Sequence, residues 1–142
     1  KKLQSADLSS VSSFALCLFK IDQLKEINRK EGFEKGDLLL KNFGKWATAY
    51  VSKNPEVWSN SLFRMDGNEI LIVFNEDNPQ KLAQWFAQFS KEFSKNFENC
   101  TLSAGFSITN VTRTSFEEVY EKAKEALDQA KLVGLGKTSL ML

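Results

Sequence analysis

Residues 13–21 read SFALCLFKI, a run made almost entirely of apolar and strand-favouring side chains. Because its apolar residues do not simply alternate with polar ones, the run predicts a strand covered on both faces, as a central strand of a sheet is. Asp22 follows at a helix N-cap position, and residues 23–32, QLKEINRKEG, predict a short helix that ends at Gly32. This part of the chain is therefore predicted to be a buried strand leading directly into a helix.

A second helix is predicted beyond GFEKGD, residues 32–37, and before Asn54-Pro55. Its apolar residues recur at three- and four-residue spacings, namely Leu39, Leu40, Phe43, Ala47, Tyr50 and Val51. Two strand-like runs follow, residues 58–65 and 69–74. The Asp66-Gly67 dipeptide between them tolerates the positive φ angles of a tight turn, so this segment predicts a β-hairpin.

The remaining segments predict two more helices and two more strands. Asn78 and Pro79 are typical of a helix start, and one apolar stripe follows them: Leu82, Trp85, Phe86, Phe89, Phe93 and Phe97. Residues 101–109 alternate as a strand, the capping box at Ser115 opens a helix, and residues 137–142 predict a closing strand. This order predicts an α/β (α+β) sandwich with a mixed sheet flanked by helices, of the ferredoxin-like, polymerase-palm type.

Composition limits the classes of function. The 142 residues fit one domain, 1–142, and the absence of both an initiator Met and a signal peptide suggests a fragment of a longer multidomain protein. A net charge of +1 with only three arginines gives little support to nucleic-acid binding, and the longest apolar run, residues 14–19, is too short to enter a membrane as a span. Cys17 and Cys100 are predicted to be buried free thiols, which are typical of the reducing cytoplasm.

Several spaced motifs resemble those of the GGDEF family, the diguanylate cyclase domains that condense two GTP into cyclic di-GMP. Residues 20–37, KIDQLKEINRKEGFEKGD, are similar to the family pattern D-x-D-x-F-K-x-I-N-D-x-x-G-H-x-x-G-D. Residues 103–105 match its S-x-G strand motif, and residues 123–135 match its A-D-x-A-L-Y-x-A-K-x-x-G-R motif. The signature itself is degenerate, since residues 66–70 read DGNEI, with Asp66, Asn68 and Ile70 changed and Gly67 and Glu69 kept.

In this family, magnesium is held by the Asp at the end of the first strand and by acidic signature residues. The resemblance places Lys20 and Asn68 at two of these positions. Because magnesium requires oxygen ligands and an ammonium repels it, we expect no metal cofactor and no GTP condensation. Lys20 and Glu69 are predicted to face each other, either as an ion pair in place of the metal or as two solvated side chains that do not meet.

Positions that the family uses to bind nucleotide are better kept. Asn28 and Asp37 match residues that bind the guanine edge, although Asp37 could instead cap the second helix and Asn28 could bond locally. Lys131 matches a phosphate-contacting lysine, but the arginine that accompanies it is Leu135 here. The inhibitory Arg-x-x-Asp site of the family reads VWSN at residues 57–60, which argues against product binding in the usual manner.

The sequence therefore favours a catalytically inactive GGDEF-like domain. It is expected to act as a regulatory or protein-interaction module, beside neighbouring domains or a protein partner, in bacterial cyclic di-GMP-related signalling. Trp58 and Phe33 are candidate exposed anchors for such a partner. The alternative is a receptor that binds GTP or cyclic di-GMP in the remnant cleft without turnover.

Overall fold

The computed structural model describes residues 13–53, 57–65, 68–110, 116–134 and 137–141. These residues form five strands and four helices: β1 (Ser13–Ile21), α1 (Leu24–Glu31), α2 (Phe33–Val51), β2 (Val57–Arg64), β3 (Ile70–Phe74), α3 (Pro79–Asn96), β4 (Leu102–Asn110), α4 (Phe116–Val133) and β5 (Thr138–Met141). The predicted order of elements and the predicted α+β class are confirmed.

The strands form one mixed sheet in the order β2-β3-β1-β4-β5. β1 pairs antiparallel with both β3 and β4, while β5 joins β4 in parallel at the edge. Residues Phe14 to Phe19 are each at most 1% exposed, because β1 has a strand on either side and helices on both faces. The prediction of a central strand is confirmed.

One face of the sheet carries a large aromatic cluster. The odd-numbered residues of β1 pack there against α1, α2 and α3, and Phe19 contacts the rings of Phe43, Phe86 and Phe89 at centroid distances of 5.8 to 6.0 Å. The predicted stripe of α3 lies in this cluster, with Phe97 only partly buried. Its assignment to the core is confirmed, and Asn78 caps α3 by accepting hydrogen bonds from the backbone of Gln80 and Lys81.

The other face is covered by α4. The even-numbered residues of β1 pack there against Val119, Ala123 and Leu127. The backbones approach closely at Gly105, where an added Cβ would lie 2.1 Å from the nitrogen of Leu127 and 2.3 Å from the carbonyl oxygen of Ala123. The Gly of the S-x-G motif is thus required for the contact between β4 and α4.

Two local predictions near α1 are wrong. Asp22 does not cap α1, because Gln23 occupies the N-cap position and no side chain makes a capping bond there. Gly32 ends α1 as predicted, with a φ of 93°. The second helix was predicted to begin after residue 37, but α2 begins at Phe33, immediately after Gly32. Gly36 therefore lies inside α2, where an added Cβ would fall 1.7 Å from Oδ1 of Asn28, so its role is close helix packing and not a loop.

Several remaining expectations have separate outcomes. Cys17 and Cys100 are buried free cysteines, as predicted. No helix in the described parts of the chain is long and apolar enough to cross a membrane. Asp66-Gly67 and Ser115 lie outside the described residues.

Candidate functional site

The β2–β3 hairpin, the end of β1 and the start of β4 meet at one end of the strands of the sheet. Phe19 pairs with Ile70, and Lys20 pairs with Ser103. Continuing the register of β1 and β3 by one residue places Lys20 opposite Glu69. Since alternate strand residues share a face, both lie on the face covered by α4. We call this end of the sheet, on the α4 face, the hairpin edge.

Glu69 is bound to α4 at the hairpin edge. Its side chain is 10% exposed, accepts a hydrogen bond of 2.7 Å from the hydroxyl of Tyr120, and lies 4.0 Å from Nζ of Lys124. Both Lys20 and Glu69 are described, and no ion pair within 4.0 Å joins them. The predicted Lys20–Glu69 ion pair is therefore wrong, and the lysine beside Glu69 comes from α4.

Asp22 lies just beyond β1 and is bonded to β4. Its carboxylate accepts hydrogen bonds of 2.6 Å from the hydroxyls of both Thr101 and Ser103. Gln23 adds two further bonds to Thr101, one from its Nε2 to the hydroxyl and one accepted by its Oε1 from the backbone N–H. These bonds fix the start of α1 to the start of β4, which explains why Asp22 is used here and not as a cap.

Asn28 packs against α2 on the opposite face of the sheet. Its Oδ1 is buried and has no hydrogen-bond partner among the described residues, so the alternative of a local bond from this atom is not observed. Asp37 is exposed and lies within α2, whose N-cap is Gly32, so the alternative in which Asp37 caps that helix is wrong. Both side chains thus remain available as predicted nucleotide contacts.

The other predicted residues are more dispersed. Lys131 is exposed in the last turn of α4, two helical turns beyond Lys124, and Asn68 is half-buried. Ile70 is buried as a core residue of β3. Gly67, Asp66 and Leu135 lie outside the described residues, as do the side chains of residues 57–60 and therefore that of Trp58, whereas Phe33 is 73% exposed as predicted.

The donor set at the hairpin edge does not suit magnesium. Asp22 is bonded to two hydroxyls, Glu69 is bonded to Tyr120, and Lys20 and Lys124 supply ammonium groups. Within the described ranges, no group of three or more potential ligand side chains could hold a metal ion. Magnesium instead requires several oxygen ligands in nearly octahedral positions.

Tyr120 and Lys124 are two site residues that the sequence interpretation missed. They lie 51 and 55 positions from Glu69, on an element whose predicted face was apolar. One signal was present, because Lys124 stands at the Asp position of the motif A-D-x-A-L-Y-x-A-K-x-x-G-R. A charge reversal in a family motif points to a local contact that differs from the family pattern, and here that contact is with Glu69.

The chain matches the family model "Diguanylate cyclase, GGDEF domain" over residues 1–137. A solved microbial GGDEF domain, described in its interaction with cyclic di-GMP, has a TM-score of 0.77 and 21% identity, covering 99% of this chain and 86% of that one. The active GGEEF domain of a Vibrio cholerae diguanylate cyclase has a TM-score of 0.75 and 23% identity, covering 91% and 83%.

A third structure contains a partner protein. Diguanylate cyclase SiaD of Pseudomonas aeruginosa, in complex with its activator SiaC, has a TM-score of 0.73 and 20% identity, covering 92% of this chain and 50% of that one. At these identities the structural likenesses show the fold. No curated protein sequence matches this chain at a significant level.

Proposed function

This chain belongs to the GGDEF family of diguanylate cyclase domains, and on that premise we propose that it is a catalytically inactive member. It acts as a regulatory, protein-interaction domain of a bacterial cyclic di-GMP-related signalling protein in the cytoplasm. The observation that carries the proposal is the charge at the hairpin edge. Lys20 and Lys124 lie on the face where the family places metal ligands, and Glu69 is already engaged by α4.

The size of the electrostatic effect supports this proposal. A unit positive charge about 4 Å from a cation repels it by ~1 kcal/mol per unit of ion charge in water and by ~4 kcal/mol at an effective dielectric constant of 20. Two lysines act together here, and Asn68 contributes no charge. Magnesium would therefore meet repulsion where it needs anionic oxygen ligands.

Incubation with GTP and magnesium or manganese, followed by product analysis, tests the inactivity. We expect no cyclic di-GMP, while the active GGEEF domain of the Vibrio cholerae cyclase forms it in parallel. Cyclic di-GMP formation that disappears in an Asn68→Ala variant would refute the proposal. This variant is suitable because Asn68 is half-buried and outside both core clusters.

The protein-interaction role has separate support. SiaD, which shares the fold, is solved with a protein activator. Phe33 exposes 73% of its surface at the start of α2, and exposed aromatic residues are common anchors at protein interfaces. We propose that Phe33 contacts a partner protein or a neighbouring domain, with Trp58 as the second candidate anchor.

A second function is favoured by one observation, the buried Oδ1 of Asn28 that has no partner in the described part of the chain. An unsatisfied buried acceptor is costly, and Oδ1 would gain donors from a bound purine edge once the side chain turned away from Gly36. In this alternative the remnant cleft binds GTP or cyclic di-GMP without turnover. The candidate contacts are the residues predicted from the family resemblance, namely Asn28 and Asp37 for the guanine and Gly67, Glu69 and Lys131 for the phosphates.

Calorimetric titration with each nucleotide, with and without magnesium, separates the two functions. Saturable binding that is lost in both Asn28→Ala and Asp37→Ala would establish the receptor and exclude a purely docking role. Glu34→Ala is the matched control, because Glu34 is another exposed acidic residue near the start of α2. Absence of binding for all nucleotides would leave the interaction role and reject the receptor.

A further inference from the structure

Glu69, Tyr120 and Lys124 form a contact that ties the β2–β3 hairpin to α4. We call these three residues the α4 latch, and we call the part of the hairpin that flanks its turn, at Met65 and Glu69, the hairpin base. We propose that Lys124, together with Tyr120, supplies from within the chain the positive charge and the hydrogen bond that fix Glu69. The hairpin base is thereby held without a cation from solution. This inference rests on the proposed absence of metal-dependent catalysis and adds the residues that take over the structural role of a cation.

Burial creates the need for a partner. The Glu69 side chain is only 10% exposed, and an isolated carboxylate in such a place is strongly disfavoured unless it is hydrogen-bonded or paired. The 2.7 Å bond from Tyr120 is a charge-assisted hydrogen bond of ordinary length. Lys124 at 4.0 Å adds a charge contact, and its side chain keeps 45% of its exposure.

The latch also determines the position of the hairpin. The backbone N–H of Met65 donates a 2.8 Å bond to the carbonyl oxygen of Glu69, which closes the base of the hairpin. Ile70, the next residue, pairs with Phe19 of β1 and Arg64 of β2. A side chain that fixes Glu69 to α4 therefore fixes three strands relative to that helix.

Two positions beside Glu69 are reversed in charge relative to the family motifs. Position 20 is Asp in the D-x-D-x-F-K motif and position 124 is Asp in the A-D-x-A-L-Y motif, and both are Lys in this chain. Lys20 lies opposite Glu69 in the strand register, and Lys124 is within 4.0 Å of it on α4. Glu69 thus has a lysine on the sheet and a lysine on the helix of the same face.

A double-mutant cycle tests the latch. Thermal unfolding is measured for the full chain, Lys124→Ala, Glu69→Gln and the double variant, because the Glu69→Gln change keeps a hydrogen-bond acceptor for Tyr120 and removes only the charge. We expect Lys124→Ala to lower Tm by about 2–4 °C in the wild-type background and by less than about 1 °C with Glu69→Gln. Lys124→Arg should restore Tm to within about 1 °C of wild type.

Lys45→Ala is the matched control for this cycle. Lys45 is an exposed lysine within α2, on the opposite face of the sheet, so its removal should shift Tm equally in both backgrounds. Tyr120→Phe removes one charge-assisted hydrogen bond and should lower Tm by about 4–8 °C. Equal effects of Lys124→Ala in both backgrounds would overturn the proposal.

The change in Tm on adding magnesium chloride tests whether a metal ion or the α4 latch holds Glu69. This change, measured as about 10 mM magnesium against a chelator, should be the same for wild type and Glu69→Gln. A one-site cation with a Kd of about 1 mM would raise Tm by about 3–6 °C at that concentration. A rise in wild type that Glu69→Gln abolishes would show that the metal holds Glu69 and would overturn the latch.

These outcomes are independent of the cyclase assay. Cyclic di-GMP formation would refute the proposed inactivity whatever the cycle shows. Loss of coupling between Lys124 and Glu69 would refute the latch even if no cyclic di-GMP is formed.

Discussion

Gly105→Ala should push α4 away from the sheet, because the backbones of β4 and α4 are in contact at this glycine and leave no room for a side chain. The added Cβ would lie 2.1 Å from the nitrogen of Leu127, 2.3 Å from the oxygen of Ala123 and 2.7 Å from the carbonyl carbon of Ala126. Ordinary van der Waals contact begins near 3.4 Å. All three atoms belong to helix backbone and cannot rotate away, so α4 must move outward by roughly 1 Å.

The energetic cost follows from the contacts that this movement opens. A radial gap of about 0.5–1 Å forfeits roughly a quarter to a half of each dispersion contact. Val119 and Leu127 are each buried to 1% exposure or less, and full burial of such a side chain contributes about 1.5–3 kcal/mol. Partial loss for these residues and their partners on the sheet, added to the strain of overpacking, gives about 3 kcal/mol. At this chain length that corresponds to a fall in Tm of about 10 °C.

Urea unfolding followed by tryptophan fluorescence measures this cost as a lower midpoint with an unchanged slope. Gly44→Ala is the matched control, because no atom lies within 4 Å of an added Cβ there and Gly44 is inside α2. That variant should be stabilised by about 0.5–1 kcal/mol. If the free energy of unfolding of Gly105→Ala is within about 1 kcal/mol of the wild-type value, the close contact between β4 and α4 does not require a glycine at this position.

Two further predictions concern the α3 cap and the central strand. Asn78→Ala should cost about 1 kcal/mol in urea unfolding, because two backbone N–H groups lose their acceptor, whereas Asn78→Ser should retain most of the stability; equal stability of the Ala variant would contradict this. Burial raises the pKa of the Cys17 thiol well above its ordinary value of 9.0, so the unfolded chain releases this proton first. Stability should therefore be unaffected by this group below pH 9.0 and fall above it by up to about 1.4 kcal/mol per pH unit. In denaturation measured from about pH 8 to 10, Cys17→Ala should reduce the fall of the free energy of unfolding with pH. An unchanged fall would show that the Cys17 thiol does not cause it.

Local patterns were sufficient for most of the fold. The uninterrupted apolar run of β1 indicated a strand covered on both faces, and every residue of its apolar part is buried. Asn78 and Pro79 marked the start of α3 because the capping bonds join residues two and three positions apart. These features depend on neighbours in sequence, which a pattern can express.

Predictions that depended on distant partners were less successful. Asp22 is of a residue type that is favoured at helix N-caps, but its carboxylate accepts hydrogen bonds from Thr101 and Ser103, which lie 79 and 81 positions away. Gly36 suggested a loop because a glycine inside a helix is unfavourable, yet the space it leaves is occupied by Asn28. In both cases the tertiary contact decides the role of the residue.

The hairpin edge shows the same limit. The family resemblance predicted that Lys20 and Glu69 face each other, and the register of β1 and β3 places them opposite one another. The partner of Glu69 nevertheless comes from α4, whose position over the sheet is set by the close approach at Gly105. The resemblance paired two motif positions and did not include the helix that packs across them.

The aromatic cluster and the charged hairpin edge occupy different faces of one sheet. Lys20, Asn68 and Lys124 lie outside both buried clusters, so changes at these positions exchange charge without removing core contacts. The residues that build the aromatic core and the residues that set the charge of the hairpin edge are thus separate sets. The charge of the edge can therefore be changed at Lys20 and Asn68 while the aromatic cluster stays packed.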